Sequence, residues 1–271
     1  MMNTAPDILF LSHGGGPLPL LGDPAHQEMV ESLKGIANVI SKPSAILIIS
    51  AHWEASVPTI TSGPVPELIY DYTGFPPEAY QIQYPCQGEP KLAQQVKRAL
   101  ENAGIPARQD ANRGFDHGVF VPLKIMYPEA DIPCVQLSLV STLSAETHLA
   151  IGRALKTLER ENLLVIGSGF SFHNMREFFS PITPDSQAKN KAFEDWLVTT
   201  CSSQDIDEVE RSHRLVNWEK APHARFCHPR EEHLLPLHVC YGLAGRPSDK
   251  QLSVTILNKA SGMFYWSRKS T

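Results

Sequence analysis

Two short apolar segments that each end in a histidine constrain the fold of this chain most strongly. The first, residues 8–11 (ILFL), runs into His13, and the second, residues 45–49 (AILII), runs into His52. Uninterrupted apolar runs of this length are typical of strands that are buried on both faces, as in parallel sheets. Ligands of such sheets bind beyond the carboxyl ends of the strands. Both histidines are therefore predicted to lie at a binding edge.

The rest of the chain repeats apolar strands with amphipathic helices between them. Five strands are predicted, over Asp7–Ser12, Ala45–Ala51, Ile132–Val140, Leu163–Gly167 and Leu252–Asn258. Apolar residues at helical spacing predict helices within residues 29–40, 92–103, 151–158 and 193–197. This alternation predicts an α/β fold of three layers (α/β/α), in which the central layer is a mostly parallel (mixed) sheet.

Length, charge and composition limit the class of protein. The chain has 271 residues and a net charge of -5, which argues against nucleic acid or an anionic membrane as a partner. No apolar stretch approaches the ~20 residues that span a bilayer, and the N-terminal residues lack the features of a signal peptide. A cytoplasmic location is expected. No linker or repeat divides the sequence, so residues 1–271 are predicted to form a single domain.

The cysteines indicate which ligands a metal site could use. There are five of them, widely spaced and without a CxxC pair. This pattern argues against a disulfide framework and against a thiolate zinc site. Any metal would therefore be held by histidine and carboxylate side chains.

Three further histidines lie in segments where a ligand could bind. His173 follows the strand predicted over residues 163–167, His117 precedes a helix in a glycine-containing turn, and His233 lies near the start of a C-terminal helix. A single histidine beside an apolar strand is more often a hydrogen-bonded core or capping residue than a ligand. Two histidines at strand ends, His13 and His52, favour a metal site. The remaining six histidines are expected to be surface or structural residues.

The loops beside these histidines bear on the type of substrate. The glycine turn at residues 14–16 lacks the spacing of a phosphate-binding loop, and close backbone approach to a metal or substrate explains it as well. The irregular region of residues 62–90 is rich in aromatic residues, which include Tyr72 and Phe75. Together with Trp53 these rings would suit a flat aromatic substrate. The alternative for each ring is ordinary loop packing.

Seven segments, taken together and in order, resemble the class III extradiol ring-cleavage dioxygenases, in the LigB-like branch called the 4,5-DOPA dioxygenase family. They are FLSHG at 10–14, ISAHW at 49–53, GFPPEAY at 74–80 with YP at 84–85, GFDHG at 114–118, MYPEADIP at 126–133 with VQLS at 135–138, GSG at 167–169 with HN at 173–174, and EHLLPL at 232–237. They extend over about residues 8 to 240. Their common order along the chain makes the resemblance specific.

The resemblance implies a LigB-like fold and a non-haem metal, with Fe(II) for activity or Zn(II) as the bound ion. His13, His52 and His233 match metal-ligand positions. His173 matches a position that serves as the catalytic acid/base in one branch and as a metal neighbour in the other. His117 matches a histidine near the substrate oxygen. The implied substrates are O2 and a small aromatic diol such as DOPA.

Two departures from the family pattern are visible. The turn after the first strand is His-Gly-Gly-Gly-Pro at residues 13–17, where the family commonly has His-Gly-Ser-Pro, and this bears on substrate identity. Glu231 and Glu232 also stand beside His233. A carboxylate from this pair could complete an iron site of two histidines and one carboxylate, with His233 serving elsewhere.

The resemblance also implies a division of roles. His173 would take protons from the diol and return one to the product, and His117 would hydrogen-bond the developing oxyanion. One alternative is a zinc hydrolase of small amides or esters on the same metal site, which would need no O2. Another is a non-catalytic binding protein of the same fold, against which the intact histidine set argues. A homodimer is expected.

Overall fold

Eight strands form one mixed sheet in the computed structural model, which describes residues 5–268. The strands are β1 (Asp7–Ser12), β2 (Ala45–Ala55), β3 (Thr59–Thr61), β4 (Arg108–Asp110), β5 (Cys134–Val140), β6 (Leu163–Gly169), β7 (Lys250–Ile256) and β8 (Lys259–Trp266). Their order across the sheet is β4-β3-β5-β2-β6-β1-β8-β7. Four of the five predicted strands lie side by side in the sheet as β5, β2, β6 and β1, whereas the fifth, β7, lies at its edge.

The centre of the sheet is parallel and its margins are partly antiparallel. Strands β5, β2, β6 and β1 pair in parallel, whereas β8 runs antiparallel to β1, and β7 to β8. Ser168 of β6 is in register with Leu11 of β1 and with Ser50 of β2. The carboxyl ends of three neighbouring strands therefore meet at one edge. The predicted α/β fold with a mostly parallel, mixed sheet is confirmed.

Nine α-helices accompany the sheet within residues 5–268. They are α1 (Gln27–Val39), α2 (Pro90–Asn102), α3 (His117–Met126), α4 (Ala145–Ala154), α5 (Met175–Phe178), α6 (Pro184–Ser202), α7 (Glu208–Val216), α8 (Ala224–Cys227) and α9 (Leu235–Ala244). Short 3-10 helices lie at Leu18–Leu21, Pro24–His26, Pro77–Gln81, Leu155–Thr157 and Trp218–Lys220. None of the described helices is long and apolar enough to cross a membrane.

Strand β6 shows why the helices form two separate layers. The Ser168 hydroxyl donates to the carbonyl of Gly118 on α3. A Cβ at the neighbouring Gly167 would instead lie 2.7 Å from the carbonyl oxygen of Pro236 on α9. Successive strand residues point to opposite faces, so α3 and α9 cover opposite faces of the sheet. Glycine at 167 lets α9 approach the strand more closely than any side chain would allow.

The structure differs from the predicted strands at the C-terminal hairpin. The strand predicted over Leu252–Asn258 covers residues 250–256, because Leu257 and Asn258 turn the chain with φ of 49° and 63°. Two residues of positive φ are typical of a tight hairpin turn, which leads directly into β8. Strand β8 and the three-residue strands β3 and β4 were not predicted. The other four predicted strands are present, with ends shifted by up to four residues.

Candidate metal centre

Three histidines bring their Nε2 atoms together at the carboxyl edge of the sheet. His13 follows β1, His52 lies in β2, and His233 lies just before α9. Nε2 of His52 is 3.0 Å from Nε2 of His13 and 3.3 Å from Nε2 of His233. One nitrogen from each of the three lies within 4.8 Å of the others, a spacing at which one metal ion could bind all three. Four histidines were expected at the metal, with His173 as the fourth, and the structure brings the other three together around one point.

An irregularity in β2 aims His52 at this point. The pairing of β2 with β5 shifts between Ile49 and Glu54, which is the signature of a β-bulge. Bulges bend a strand and redirect its side chains, and they are common beside functional sites. His13 needs no such device, because its backbone N–H still donates to Gly169 at 3.1 Å and continues the pairing of β1 with β6.

Hydrogen bonds on the far side of two rings fix which nitrogen faces the centre. His13 Nδ1 lies 3.0 Å from the Ser168 hydroxyl, whose own proton goes to the Gly118 carbonyl. His13 Nδ1–H is therefore the donor. His233 Nδ1–H donates to Glu232 Oε1 at 2.8 Å. Both Nε2 atoms are then left with lone pairs that face each other, an arrangement that suits a cation and is typical of metal-binding histidines.

Electrostatics keep these ligands neutral. Burial, reinforced by the neighbouring histidines, lowers the pKa of His13 and of His52 well below the ordinary value. Burial and the charge of His173 lower the pKa of His233 to about 3, against the opposing effect of Glu232. A lowered histidine pKa means that the neutral, ligand-competent form is the one present at neutral pH.

His117 stands beside this trio and is oriented by an aspartate that the sequence did not single out. Its Nδ1 lies 2.8 Å from Oδ1 of Asp71, and its backbone N–H donates to the same oxygen at 3.0 Å. Oδ2 of Asp71 also lies 3.6 Å from Nδ1 of His52. Burial opposes ionisation of Asp71, but the hydrogen bond and charge of His117 lower its pKa. The only signal in the sequence was its place beside Tyr72 in the aromatic loop.

His173 and Glu232 complete the site on its other side. The ring of His173 stacks on that of His233, and its Nδ1 lies 3.2 Å from Glu232 Oε1. Burial opposes ionisation of Glu232, yet hydrogen bonds from His173 and His233 lower its pKa. Glu232 thus contacts Nδ1 of His233, whereas Nε2 of His233 faces the other ligands. Glu231 pairs with Arg225 at 2.6 Å instead, so the geometry favours His233 over either carboxylate as the third ligand.

A cavity of about 310 Å³ opens directly onto these histidines. Tyr72 and Phe75 are in its wall, as predicted for substrate-binding residues, and so is the glycine turn of residues 14–16. Leu257, from the hairpin turn, was not anticipated there. The full lining is His13, Gly14, Gly15, Gly16, Leu18, His52, Tyr72, Phe75, His117, Phe170, His173, Met175, Phe178, Phe179, His233 and Leu257. The lining is largely apolar and aromatic, with the polar groups confined to the metal side.

Trp53 is not among the residues that line this cavity. It lines a separate depression of about 400 Å³, where the guanidinium of Arg113 lies 4.5 Å above its ring. His52 lines the cavity and Trp53 lines the separate depression, so the two side chains do not face the same space. The structure thus places Trp53 outside the wall of the cavity, and stacking against Arg113 accounts for the position of its ring.

Comparisons with known proteins place these features in context. Residues 7–267 match the family model described as the catalytic LigB subunit of aromatic ring-opening dioxygenase. The chain is 38% identical to dioxygenase tasH of Hapsidospora irregularis, over 98% of this chain and 86% of that protein. It is 39% identical to 4,5-DOPA dioxygenase extradiol of Portulaca grandiflora, over 91% of this chain and 89% of that protein.

The chain is also similar to a bacterial relative and to a solved structure. The 4,5-DOPA dioxygenase extradiol of Escherichia coli K12 is 35% identical over 88% of this chain and 84% of its own length. The crystal structure of the uncharacterized protein JW3007 from Escherichia coli K12 superposes with a TM-score of 0.71 and 29% identity. The match covers 95% of this chain and 99% of that one.

Proposed function

We propose a metal, a substrate class and a division of roles for this chain, which belongs to the family of the catalytic LigB subunit of aromatic ring-opening dioxygenases. Membership and the relatives named 4,5-DOPA dioxygenase extradiol make it an extradiol ring-cleaving dioxygenase. It is thus an oxidoreductase that acts on an aromatic substrate and O2 with a non-haem metal. The alternative of a zinc hydrolase is not favoured.

The metal is Fe(II), held by His13, His52 and His233. The observation that supports this is the meeting of three Nε2 atoms, 3.0 and 3.3 Å apart, each carried by an imidazole whose pKa is lowered. Imidazole ligands suit both Fe(II) and Zn(II). When bound, Fe(II) supplies the one-electron chemistry that O2 needs to attack an aromatic ring, which redox-inert Zn(II) does not supply.

His173 moves the protons of the diol. Its Nδ1 faces Glu232 Oε1 at 3.2 Å, so Nε2 is the nitrogen left to exchange a proton with a substrate in the cavity. His173 accepts a proton at this atom when the diol binds and returns it to the product after ring opening. Its stacking on His233 holds the ring in place during both transfers.

His117 stabilises the negative charge that develops on a substrate oxygen. Its Nδ1–H is donated to Asp71, so in the doubly protonated form its Nε2–H remains available to the cavity. A donor that is already aligned stabilises an oxyanion without reorganising during the reaction. Asp71 acts through His117, as a positioning residue.

The substrate is a single-ring aromatic diol, DOPA or a related compound. A cavity of about 310 Å³ with an aromatic wall supports one ring of this size. The Tyr72 hydroxyl donates to the Ala79 carbonyl at 2.6 Å, so Tyr72 offers the substrate its ring and not its hydroxyl. One catalytic domain over the whole chain, a homodimer and a cytoplasmic location remain predictions.

One experiment tests the proposed reaction. The protein is stripped of metal, reloaded anaerobically with Fe(II) or Zn(II), and mixed with L-DOPA and simple catechols while O2 consumption and ring-opened product are followed together. We expect O2 uptake with Fe(II) alone. No uptake with either metal across a broad catechol panel would overturn the proposal. Ester or amide hydrolysis by the zinc form without O2 would favour the hydrolase.

A further inference from the structure

A second depression adjoins the catalytic cavity at its outer end. It has a volume of about 540 Å³, and two residues, His173 and Met175, line both spaces. Its other lining residues are Asn174, Arg176, Pro229, Arg230 and Glu232. A ring that binds in the cavity with a side chain directed past His173 and Met175 would therefore place the end of that side chain in this depression.

The charged groups of the depression are not all paired. Arg230 binds both carboxylate oxygens of Glu54 at 2.7 Å each. Glu232 is held by His173, His233 and Arg230. Arg176, by contrast, makes hydrogen bonds only through its backbone, and its guanidinium has no hydrogen bond or ion pair with any described residue between 5 and 268. One positive charge is therefore available to a ligand.

The backbone that carries Arg176 is held in place at both ends of α5. The Asn174 side chain accepts hydrogen bonds from the N–H groups of Arg176 and Glu177, and its own amide donates to the Phe226 carbonyl at 2.7 Å. At the other end, the buried ammonium of Lys259 lies 3.6 Å from the Glu177 carboxylate. These contacts fix the turn from which the guanidinium projects, which lowers the entropy lost when it binds a ligand.

We propose that Arg176 binds a carboxylate on the side chain of the substrate, so that the preferred substrates are aromatic diols with an acidic side chain. This rests on the proposed ring cleavage at the adjoining cavity. The guanidinium fork matches a carboxylate in two parallel hydrogen bonds. Because Arg176 is exposed and remote from the reacting atoms, its contact is made equally in the ground and transition states and acts on KM more than on kcat.

The test compares two diols that differ in one charge, 3-(3,4-dihydroxyphenyl)propanoate and its primary amide. Wild type, R176Q, R176K and the matched control R98Q, an exposed arginine on α2, are assayed with Fe(II) at low and high salt. We expect wild type and R98Q to prefer the acid by about fivefold in kcat/KM, through KM, since an exposed ion pair contributes up to ~1 kcal/mol. R176Q loses this preference, R176K keeps part of it, and salt weakens it in wild type.

Two outcomes separate this proposal from the proposed function. Equal use of acid and amide by wild type, or an unchanged preference in R176Q, overturns the carboxylate site while ring cleavage stands. If no protein cleaves either compound, the binding of acid and amide to the zinc-loaded proteins is measured by anaerobic calorimetry, which tests the carboxylate site without ring cleavage. Tighter binding of the acid to wild type and R98Q, but not to R176Q, supports the site, and equal binding of acid and amide overturns it.

Discussion

The rings of His173 and His233 lie almost parallel, with centroids 3.4 Å apart and planes 17° apart. Glu232 Oε1 lies 2.8 Å from Nδ1 of His233 and 3.2 Å from Nδ1 of His173. Two imidazolium ions in this arrangement would repel each other strongly, so the two rings do not both carry a charge. Burial, together with the charge of His173, lowers the pKa of His233 to about 3, which makes His233 the neutral ligand and leaves proton transfer to His173.

Replacing His173 with Ala is expected to stop turnover while metal remains bound. The three Nε2 atoms of His13, His52 and His233 stay in place, but the group that exchanges protons with the diol is lost. Metal content is measured by elemental analysis, and turnover by O2 uptake, with His13→Ala as the matched variant that loses metal. Loss of metal from His173→Ala would identify His173 as a ligand.

Replacing Glu232 with Gln is expected to weaken metal binding by about 10- to 100-fold, the usual effect of removing a carboxylate that orients a ligating histidine. The amide keeps the shape of Glu232 but loses the charge that holds Nδ1–H of His233. Affinity is measured by competition with a chelator. Glu231→Gln is the control, because that carboxylate pairs with Arg225. An equal loss in the control would show that the effect is not specific to Glu232.

Replacing Asp71 with Asn is expected to lower kcat by about 10- to 100-fold with little change in metal content. The variant removes the acceptor that orients His117 through Nδ1, whereas the contact of Asp71 with His52 is longer, at 3.6 Å. Steady-state kinetics and metal analysis are compared with Asp131→Asn, an exposed carboxylate paired with Lys42. A variant that lost its metal would mean that Asp71 serves mainly to hold His52.

Replacing Glu194 with Gln is expected to reduce the pH dependence of stability. Burial raises the pKa of Glu194 to about 8. Between the pKa of an unfolded glutamate, about 4.3, and this value, the folded state binds more protons than the unfolded state, so the free energy of unfolding falls as pH rises. From pH 5.5 to 8 the wild type should lose roughly 2–3 kcal/mol relative to the variant, at ~1.4 kcal/mol for each pKa unit.

Urea denaturation of the metal-free protein at these two pH values measures this difference. Working without metal removes the pH dependence of ligation itself. Asp195→Asn is the control, because Asp195 is exposed and pairs with Lys191 at 2.6 Å. A fall in stability that is the same in wild type and Glu194→Gln would show that Glu194 is ionised in the folded protein.

Replacing Tyr72 with Phe is expected to cost about 1 kcal/mol of stability, the usual value of one hydrogen bond, and to leave kcat and KM nearly unchanged. The hydroxyl donates to the Ala79 carbonyl at 2.6 Å and so braces the loop. Denaturation and steady-state kinetics are measured together. A large rise in KM would indicate that the hydroxyl contacts the substrate.

Local patterns were enough to predict the central sheet and the histidines that follow its strands. Apolar runs identify strands buried on both faces, and parallel strands bring their carboxyl ends to one edge, so the sequence alone predicts that His13 and His52 lie near each other. The order of the motifs then pointed to His117, His173 and His233. Strand β8 was missed because its partner is reached through a turn of Leu257 and Asn258, which lacks the usual glycine signal.

Only the tertiary structure decided the partners of those histidines. Asp71 meets His117 across 46 residues, and no local pattern indicates such a contact. Glu232 and His233 are adjacent in sequence, and only the backbone before α9 determines which of them faces the other ligands. Trp53 follows His52 directly but lies in a different depression. Sequence periodicity determines which face of an element is buried, whereas the direction of a single polar side chain depends on distant segments that are brought together only by folding.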